Sequence, residues 1–224
     1  MTAAPEPGFS LPGEIPLAEA SLEPENTVQD QGSLLRMAVF VEGGMGLLAI
    51  ALGYFTGYNP LAEVRVDSLG WLDGAGLLAV LPMFLLFLGL TSLRFPSLEL
   101  IRAKMDQVVL PLFKGLYLSD VFWLSILAGV GEELLFRGFF HLWMEDWFGM
   151  PVAVALTAIL FGLVHWITPM YALLAGLMGA LLSATMLLTD NLLVAILVHG
   201  LYDFVALSYY LRVVHKAGPN SESP

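Results

Sequence analysis

The sequence predicts an all-α protein that crosses a membrane several times. Hydrophobic residues make up 58% of the chain and charged residues only 13%, with a mean hydropathy of +0.78; soluble domains average about 25% charged residues. Several apolar runs reach the roughly 20 residues that a helix needs to span a bilayer. Lipid offers no partners for backbone N–H and C=O groups, so such runs must be helical. We therefore predict a polytopic transmembrane helix bundle with about six spanning helices and one interfacial helix.

The first 33 residues differ from the rest of the chain. Six acidic residues precede the first basic one, Arg36, in a stretch that is rich in Pro and poor in apolar side chains. Such a segment buries too little surface to offset its ordering entropy, and it lacks the basic start and apolar core of a secretory signal. We predict a disordered acidic tail over 1–33, a transmembrane helical domain over 34–214 and a C-terminal tail over 215–224.

Two functional classes are disfavoured by composition. The chain contains no cysteine, so disulfides and thiolate chemistry are excluded. Basic residues are not clustered with aromatic ones, so we expect no nucleic-acid partner. The expected surroundings are instead the lipid bilayer and a membrane-associated partner.

Six segments carry the predicted spans. Each is an apolar run flanked by polar, Gly or Pro residues. The predicted spans are 37–55, 75–93, 121–143, 152–167, 170–188 and 192–211.

The distribution of Lys and Arg predicts the orientation. With the N-terminus inside, seven basic residues fall on the cytoplasmic side, namely Arg36, Arg94, Arg102, Lys104, Lys114, Arg212 and Lys216. Only Arg65 falls in an outer loop, so the positive-inside rule places both termini in the cytoplasm of a cell (inner) membrane. The loop 94–120 mixes charged and apolar residues, which is typical of an interfacial or re-entrant helix.

Ionisable side chains concentrate in the third, fourth and sixth spans. The residues are Glu132, Glu133, Arg137, His165, His199 and Asp203. A charge at the centre of a bilayer costs about 2.5–3.5 kcal/mol, or roughly 10 kcal/mol for the four charged groups if none were paired. These side chains must therefore meet inside the bundle.

Helical spacing indicates how they meet. Glu133 and Arg137 are four residues apart and lie on one helix face, as do His199 and Asp203. Glu132 lies about 100° round the helix from Glu133 and so faces a different neighbour. Three helices thus present polar groups to a common interior.

Such an interior has the groups needed for peptide hydrolysis. A glutamate and a histidine can hold and deprotonate a water molecule, while a second histidine and a carboxyl group stabilise the developing oxyanion. Glu132, His165 and His199 are alternatively a two-His, one-Glu set for zinc with an open position for water. No His-Glu-x-x-His helix is present, so the common zinc-protease pattern is unsupported.

Three motifs at these residues resemble the CAAX prenyl protease and bacteriocin-processing family, also called Abi or CPBP intramembrane proteases. Glu-Glu-x-x-x-Arg matches residues 132–137, Phe-x-x-x-His matches Phe161 and His165, and His-x-x-x-Asn/Asp matches His199 and Asp203. They occur in the family's order on separate spans, within a family-like core over 115–212. The resemblance implies an intramembrane endopeptidase acting on a membrane-associated peptide or protein, by CAAX-type or leader-type processing.

The resemblance also implies roles for the residues. Glu132 and His165 would activate water, His199 and Asp203 would form the oxyanion side, and Glu133 and Arg137 would structure the site. Asp203 stands where eukaryotic-type CAAX proteases have Asn, so it is either protonated or orients His199. The family has been described both as metal-dependent and as metal-free, which leaves the cofactor open.

Other interpretations are available for the same residues. The fold would also suit a non-catalytic immunity or scaffold protein, or a proton-coupled transporter using the Glu and His side chains as a relay. Glu133 and Arg137 would then be a packing ion pair. His141 is predicted to be interfacial, and Glu42, beside two glycines, is predicted to mark a close helix crossing rather than a functional site.

Overall fold

The computed structural model describes residues 24–67, 69–113 and 116–214, and across these ranges it contains helices and no strand. The predicted all-α fold class is confirmed. Residues 1–23 of the predicted tail and the C-terminal segment 215–224 lie outside the described residues, as do Lys114 and Lys216. Residues 24–33 form the start of the first helix.

The described helices occur in the order expected from the predicted spans. They are α1 (Pro24–Thr56), α2 (Trp71–Gly76), a 3₁₀ turn (Leu77–Ala79), α3 (Val80–Ser92), α4 (Pro96–Lys104), a π turn (Met105–Val109), α5 (Leu110–Phe113), α6 (Leu118–Glu133), a π segment (Leu134–His141), α7 (Leu142–Phe148), α8 (Met150–Val164), α9 (Pro169–Thr189), α10 (Leu192–Tyr209) and a terminal π turn (Tyr210–Val214).

All six predicted spans are helical. Four have the length and hydropathy to cross a membrane, namely 32–56, 71–92, 169–189 and 192–212. The third predicted span is the continuous run from α6 to α7, whose buried ionisable residues lower its hydropathy, and the fourth, α8, has 15 residues. The chain is therefore a polytopic membrane protein. Part of the predicted chemistry lies on the run from α6 to α7, which is less apolar, and part on α8, which is short.

The loop predicted as an interfacial helix is helical over residues 96–113. Pro96 begins α4 at a position where its missing N–H is harmless. Arg102 donates hydrogen bonds to the carbonyl oxygens of Leu90 (2.6 Å) and Leu93 (2.9 Å). Carbonyl groups at the end of a helix such as α3 lack an intrahelical partner, so the Arg102 side chain takes that place. This segment thereby closes one end of the bundle; its depth in the bilayer stays a prediction.

The run from α6 to α7 lies at the centre of the bundle. Its π segment buries seven of eight residues, because the wider π turn directs side chains toward neighbours on several sides. Leu134, Phe136 and Phe139 form the main core together with residues from α1, α8, α9 and α10. The residues that follow Glu132 and Glu133 are therefore held on all sides.

Glycines let α6 approach its two neighbours closely. A Cβ atom added to Gly129 would lie 2.9 Å from the backbone of Gly200 in α10, and one added to Gly131 would overlap the carbonyl oxygen of Glu42 in α1. The predicted close crossing at Glu42 is confirmed. Small residues at helix crossings are the usual basis of tight packing in membranes.

Candidate active site

Glu132 and Glu133 end α6, where the helix passes into the π segment. Both are buried, with exposed fractions of 6% and 0%. Their side chains point to different partners, as the helical offset predicts.

Glu133 is the centre of a buried ionic network that uses one carboxylate oxygen, Oε1, whereas its Oε2 has no hydrogen-bond partner. Its Oε1 accepts hydrogen bonds from Arg137 Nη1 at 2.6 Å and from His199 Nδ1 at 2.8 Å. Both partners are buried in the bundle. The carboxylate is thus neutralised by a guanidinium from its own helix and held by an imidazole from α10.

Arg137 is saturated by a second set of contacts on α9 and α8. Its Nη2 donates to the Gly179 carbonyl at 2.6 Å, its Nε contacts Ser183 Oγ at 3.4 Å, and its guanidinium carbon lies 4.6 Å from the centre of the Phe161 ring. A Cβ on residue 179 would lie only 3.0 Å from Nη2. We call Glu133, Arg137, Gly179 and Ser183 the Glu133 network.

His165 follows the last turn of α8 and has a defined tautomer. Its Nδ1 lies 2.9 Å from the Phe161 carbonyl oxygen, so Nδ1 carries the proton and donates it. Its ring stacks on Phe161 at 4.4 Å between centroids. In the neutral ring Nε2 is then the acceptor, and it lies 3.7 Å from Glu132 Oε2 of α6.

Glu132 has the opposite environment to Glu133. Its Oε2 lies 3.7 Å from His165 Nε2 and 4.0 Å from His199 Nε2, and this buried oxygen has no hydrogen-bond partner. Asp203 Oδ2 lies 3.5 Å from the same His199 nitrogen. We call Glu132, His165, His199 and Asp203 the Glu132 cluster.

A cavity of about 90 Å³ opens onto the Glu132 cluster. Three of its lining residues belong to the cluster, and the others are mostly apolar side chains of α3, α9 and α10, including Phe87, Tyr171, Met178 and Tyr202. This volume exceeds what one water molecule needs. Water can thus reach the polar cluster in a cavity whose remaining walls are largely apolar.

The predicted zinc set of Glu132, His165 and His199 stays a prediction. Among the described residues, no group of three His, Asp or Glu side chains has the spacing to hold a metal ion as the side chains are arranged. The Nδ1 atoms of both histidines bind protein acceptors, as the second nitrogen of a metal-ligating histidine usually does, and their Nε2 atoms face Glu132. If zinc were bound, these three side chains would hold it and it would activate a water molecule.

The structure brings together all six site residues that the sequence predicts. The partners of Arg137 on α9, Gly179 and Ser183, were not predicted, although their spacing of four residues places them on one helix face. Tyr171 and Tyr202, which line the cavity, were also missed.

The prediction for His141 was wrong. This residue is fully buried, and its Nε2 lies 3.6 Å from Glu145 Oε2. It ends the π segment, where nearly every side chain turns inward. A periodicity of 3.6 residues does not reveal that change of pitch.

The fold and the site define a class, that of helical membrane proteins with a buried glutamate and histidine centre. The family model described as Type II CAAX prenyl endopeptidase Rce1-like matches residues 114–205. This segment contains Glu132, Glu133, Arg137, His165, His199 and Asp203, and the match confirms the family resemblance. The segment is thus similar to the corresponding part of CAAX-type intramembrane proteases. No curated protein and no solved structure matches the chain significantly.

Proposed function

We propose that this protein is an intramembrane endopeptidase that hydrolyses a peptide bond of a membrane-associated peptide or protein, with water activated by Glu132 and His165. The observation that carries the proposal is the unpartnered, buried Oε2 of Glu132 between two histidine nitrogens. A buried carboxylate oxygen without a donor is costly in a protein interior. A bound water supplies the missing donor.

The distances suit such a water molecule. Two acceptors can share one water when they are less than about 5.6 Å apart, twice a typical hydrogen-bond length. Glu132 Oε2 and His165 Nε2 are 3.7 Å apart. Both are acceptors, so the water donates one hydrogen to each and turns a lone pair toward the substrate carbonyl carbon.

His199 and Asp203 stabilise the oxyanion in this proposal. His199 donates Nδ1–H to Glu133, and three carboxyl groups surround its ring, which favours the imidazolium form with a second proton on Nε2. Asp203, on the apolar cavity, acts in its neutral form and donates a hydrogen bond to the oxyanion while keeping its proton. Both donors are fixed before the reaction, as electrostatic stabilisation requires.

The proton transfers then balance. As water attacks the carbonyl carbon, Glu132 takes its proton and the carbonyl oxygen becomes negative. When the C–N bond breaks, the same proton passes from Glu132 to the leaving nitrogen. The products are a new carboxyl terminus and a free amine, and Glu132 is again a carboxylate.

The family name suggests the substrate to test first. We use two fluorogenic peptides ending in a Cys-aliphatic-aliphatic-X sequence, identical except that one carries an isoprenyl group on the cysteine. Wild-type protein in detergent or proteoliposomes should cleave the prenylated peptide, and Glu132→Ala and His165→Ala should not. Glu99→Ala, which changes an exposed glutamate on α4, is the matched control and should cleave normally.

Each outcome of this experiment is informative. Cleavage of both peptides would assign a protease that does not need the isoprenyl group. Wild-type rates in Glu132→Ala or His165→Ala would overturn the mechanism. If wild-type protein at verified folding cleaves neither peptide, CAAX-type processing is contradicted, and a non-catalytic immunity or scaffold role becomes the better proposal.

The predicted orientation would place the site in the cytoplasmic half of the membrane. With the N-terminus inside, α8 ends and α9 begins at the inner surface, beside the residues that line the cavity. Because the chain has no cysteine, single-cysteine variants can test this directly. In sealed inside-out vesicles, an impermeant maleimide should label Trp166→Cys and leave Asp190→Cys unlabelled; the reverse pattern would contradict the orientation.

A further inference from the structure

The α1 helix carries an acidic residue that the proposed mechanism does not use. Glu42 lies within the candidate span 32–56 and outside the segment that matches the family model. Most of α1 is exposed on the outside of the bundle, including Phe40, Val41 and Leu47. An unpaired charge in such a helix would cost about 2.5–3.5 kcal/mol on insertion scales. A carboxyl group at this place therefore requires an explanation.

The helix crossing directs Glu42 toward the site. Its backbone carbonyl packs against Gly131, the residue before Glu132. Gly46 and Ala49, which follow it on the same face of α1, are buried. The Glu42 carboxyl group interacts electrostatically with Glu132 of α6 and with His199 and Asp203 of α10.

Three buried carboxyl oxygens on these neighbouring helices have no hydrogen-bond partner, namely the Oε2 atoms of Glu42, Glu132 and Glu133. Arg137 neutralises Glu133, which leaves Glu42 and Glu132, the latter only 6% exposed, as the two acids to be accounted for. Neighbouring carboxylates in an apolar interior cannot both stay ionised, and a pair sharing one proton removes the repulsion. That proton also gives one member a donor for the other.

Charge balance indicates which member holds the proton. Glu133 is neutralised by Arg137, which leaves one imidazolium, His199, for the remaining acids. If Glu132 is the ionised base, then Glu42 and Asp203 must be neutral for the site to carry no net charge. This assignment rests on the proposed function, in which Glu132 is the base.

We propose that Glu42 is a positioning residue of the site, a neutral carboxylic acid that donates a hydrogen bond to the Glu132 carboxylate, directly or through one water. It holds Glu132 in the orientation in which the other lone pairs of the carboxylate meet the attacking water. Glu42 itself does not touch the substrate. The active site is thus completed by a helix outside the family segment.

Substitutions of Glu42 can test this without disturbing the helix crossing, because the crossing uses only its backbone. Glu42→Met keeps the length and removes the donor, and kcat should fall about tenfold to a hundredfold, the usual worth of a hydrogen bond to a charged group, with KM unchanged. Glu42→Gln keeps a neutral donor and should restore most of kcat. Gly43→Ala, next on α1, would place its Cβ in open space and should behave as wild type.

An infrared spectrum tests the proton without any substrate. A carboxylic acid and a carboxylate absorb at different frequencies, so the wild-type spectrum should contain protonated carboxyl bands from Glu42 and Asp203, and Glu42→Gln should lose the Glu42 component while the Asp203 component remains. Wild-type kcat in Glu42→Met, or an unchanged carboxyl band in Glu42→Gln, would overturn the proposal. Equal losses in the Met and Gln variants would also overturn it, because the charge and not the donor would then matter.

The proposed function and this inference fail in different ways. If Glu132→Gln is fully active, the hydrolytic mechanism itself is wrong. If Glu132→Gln is inactive while Glu42→Met is fully active, only the role of Glu42 is wrong. The infrared measurement remains decisive even where neither CAAX peptide is cleaved.

Discussion

Glu132 and Glu133 are adjacent and chemically identical, and the structure gives them opposite surroundings. In the Glu133 network, the carboxylate binds a guanidinium and an imidazole, and the guanidinium is held by three further groups. In the Glu132 cluster, the carboxylate oxygen has no donor, and the nearest nitrogens are 3.7 and 4.0 Å away. Each glutamate has one buried Oε2 without a hydrogen-bond partner, so the difference lies in the charges that each binds. The comparison teaches that a carboxylate neutralised by a guanidinium suits a structural role, whereas one without such a partner beside two histidines suits the reaction that we propose.

The largest expected effect comes from Glu132→Gln. Removing a general base lowers kcat by about 10²- to 10⁴-fold, and an amide at this position should leave thermal stability in detergent unchanged or raised. Glu133→Gln is the matched variant and should mainly lower stability, because it leaves Arg137 buried without its carboxylate. Peptide cleavage and thermal unfolding measured on both proteins would contradict the comparison if the two variants behaved alike.

The next largest effect concerns the scaffold. Arg137→Met should destabilise the protein by about 3–5 kcal/mol, the usual consequence of removing one member of a buried ion pair. The double variant Arg137→Met with Glu133→Leu should recover much of this loss because neither charge is left unpaired. Thermal unfolding of the wild type, Arg137→Met and the double variant measures these changes in stability. If the double variant recovered no stability, the Glu133 network would have a role beyond mutual neutralisation.

Substitutions of Asp203 test its proposed role as a hydrogen-bond donor to the oxyanion. Asp203→Ala should lower kcat by about 10²- to 10³-fold, as the loss of an oxyanion donor does. Asp203→Asn keeps a donor of nearly the same shape, so its kcat should stay close to that of the wild type. Were the Asn variant as impaired as the Ala variant, Asp203 would act as a carboxylate that orients His199.

The smallest effect lies at the periphery. The Tyr58 hydroxyl donates a hydrogen bond of 2.6 Å to Asp146 Oδ2, and this bond raises the pKa of Tyr58. The protonated phenol is thus favoured in the folded state. Its contribution is complete below the pKa of an unfolded tyrosine, about 10, and disappears as the pH rises through the raised value.

Tyr58→Phe should accordingly lower the midpoint of thermal unfolding slightly at pH 7, by less than Arg137→Met does. The difference from wild type should vanish at strongly alkaline pH. A difference that stays constant across the titration would mean that the hydroxyl contributes through packing and not through its bond to Asp146.

The helices and most of the candidate site residues were predictable, because a lipid environment restricts where apolar and ionisable residues can occur in the sequence. Apolar runs must be helices, and the few ionisable residues within them must converge. Spacing also predicted the ion pair of Glu133 and Arg137, which the structure places at 2.6 Å. These inferences depend only on residues close in sequence or on a strong energetic cost.

The division of labour between the two glutamates was not predictable from spacing alone. It depends on which helix each carboxylate faces, and therefore on the crossings at Gly129 and Gly131. The π segment also hid the burial of His141, because its pitch differs from that of an α-helix. The position of Glu42 beside the site required the contact between α1 and α6, which brings together residues nearly 90 positions apart.

The same two glycines limit how a substrate can enter. Helix α6 packs against α1 on one side and against α10 on another, and at both glycines the backbones are in direct contact. Because no flexible side chain lies between them, α6 cannot tilt or slide without breaking both crossings. The cavity is instead bounded on its far side by α3, most of whose surface faces outward. Under the proposed function, a substrate would therefore reach the cavity through a movement of α3, while α6 stays fixed between α1 and α10.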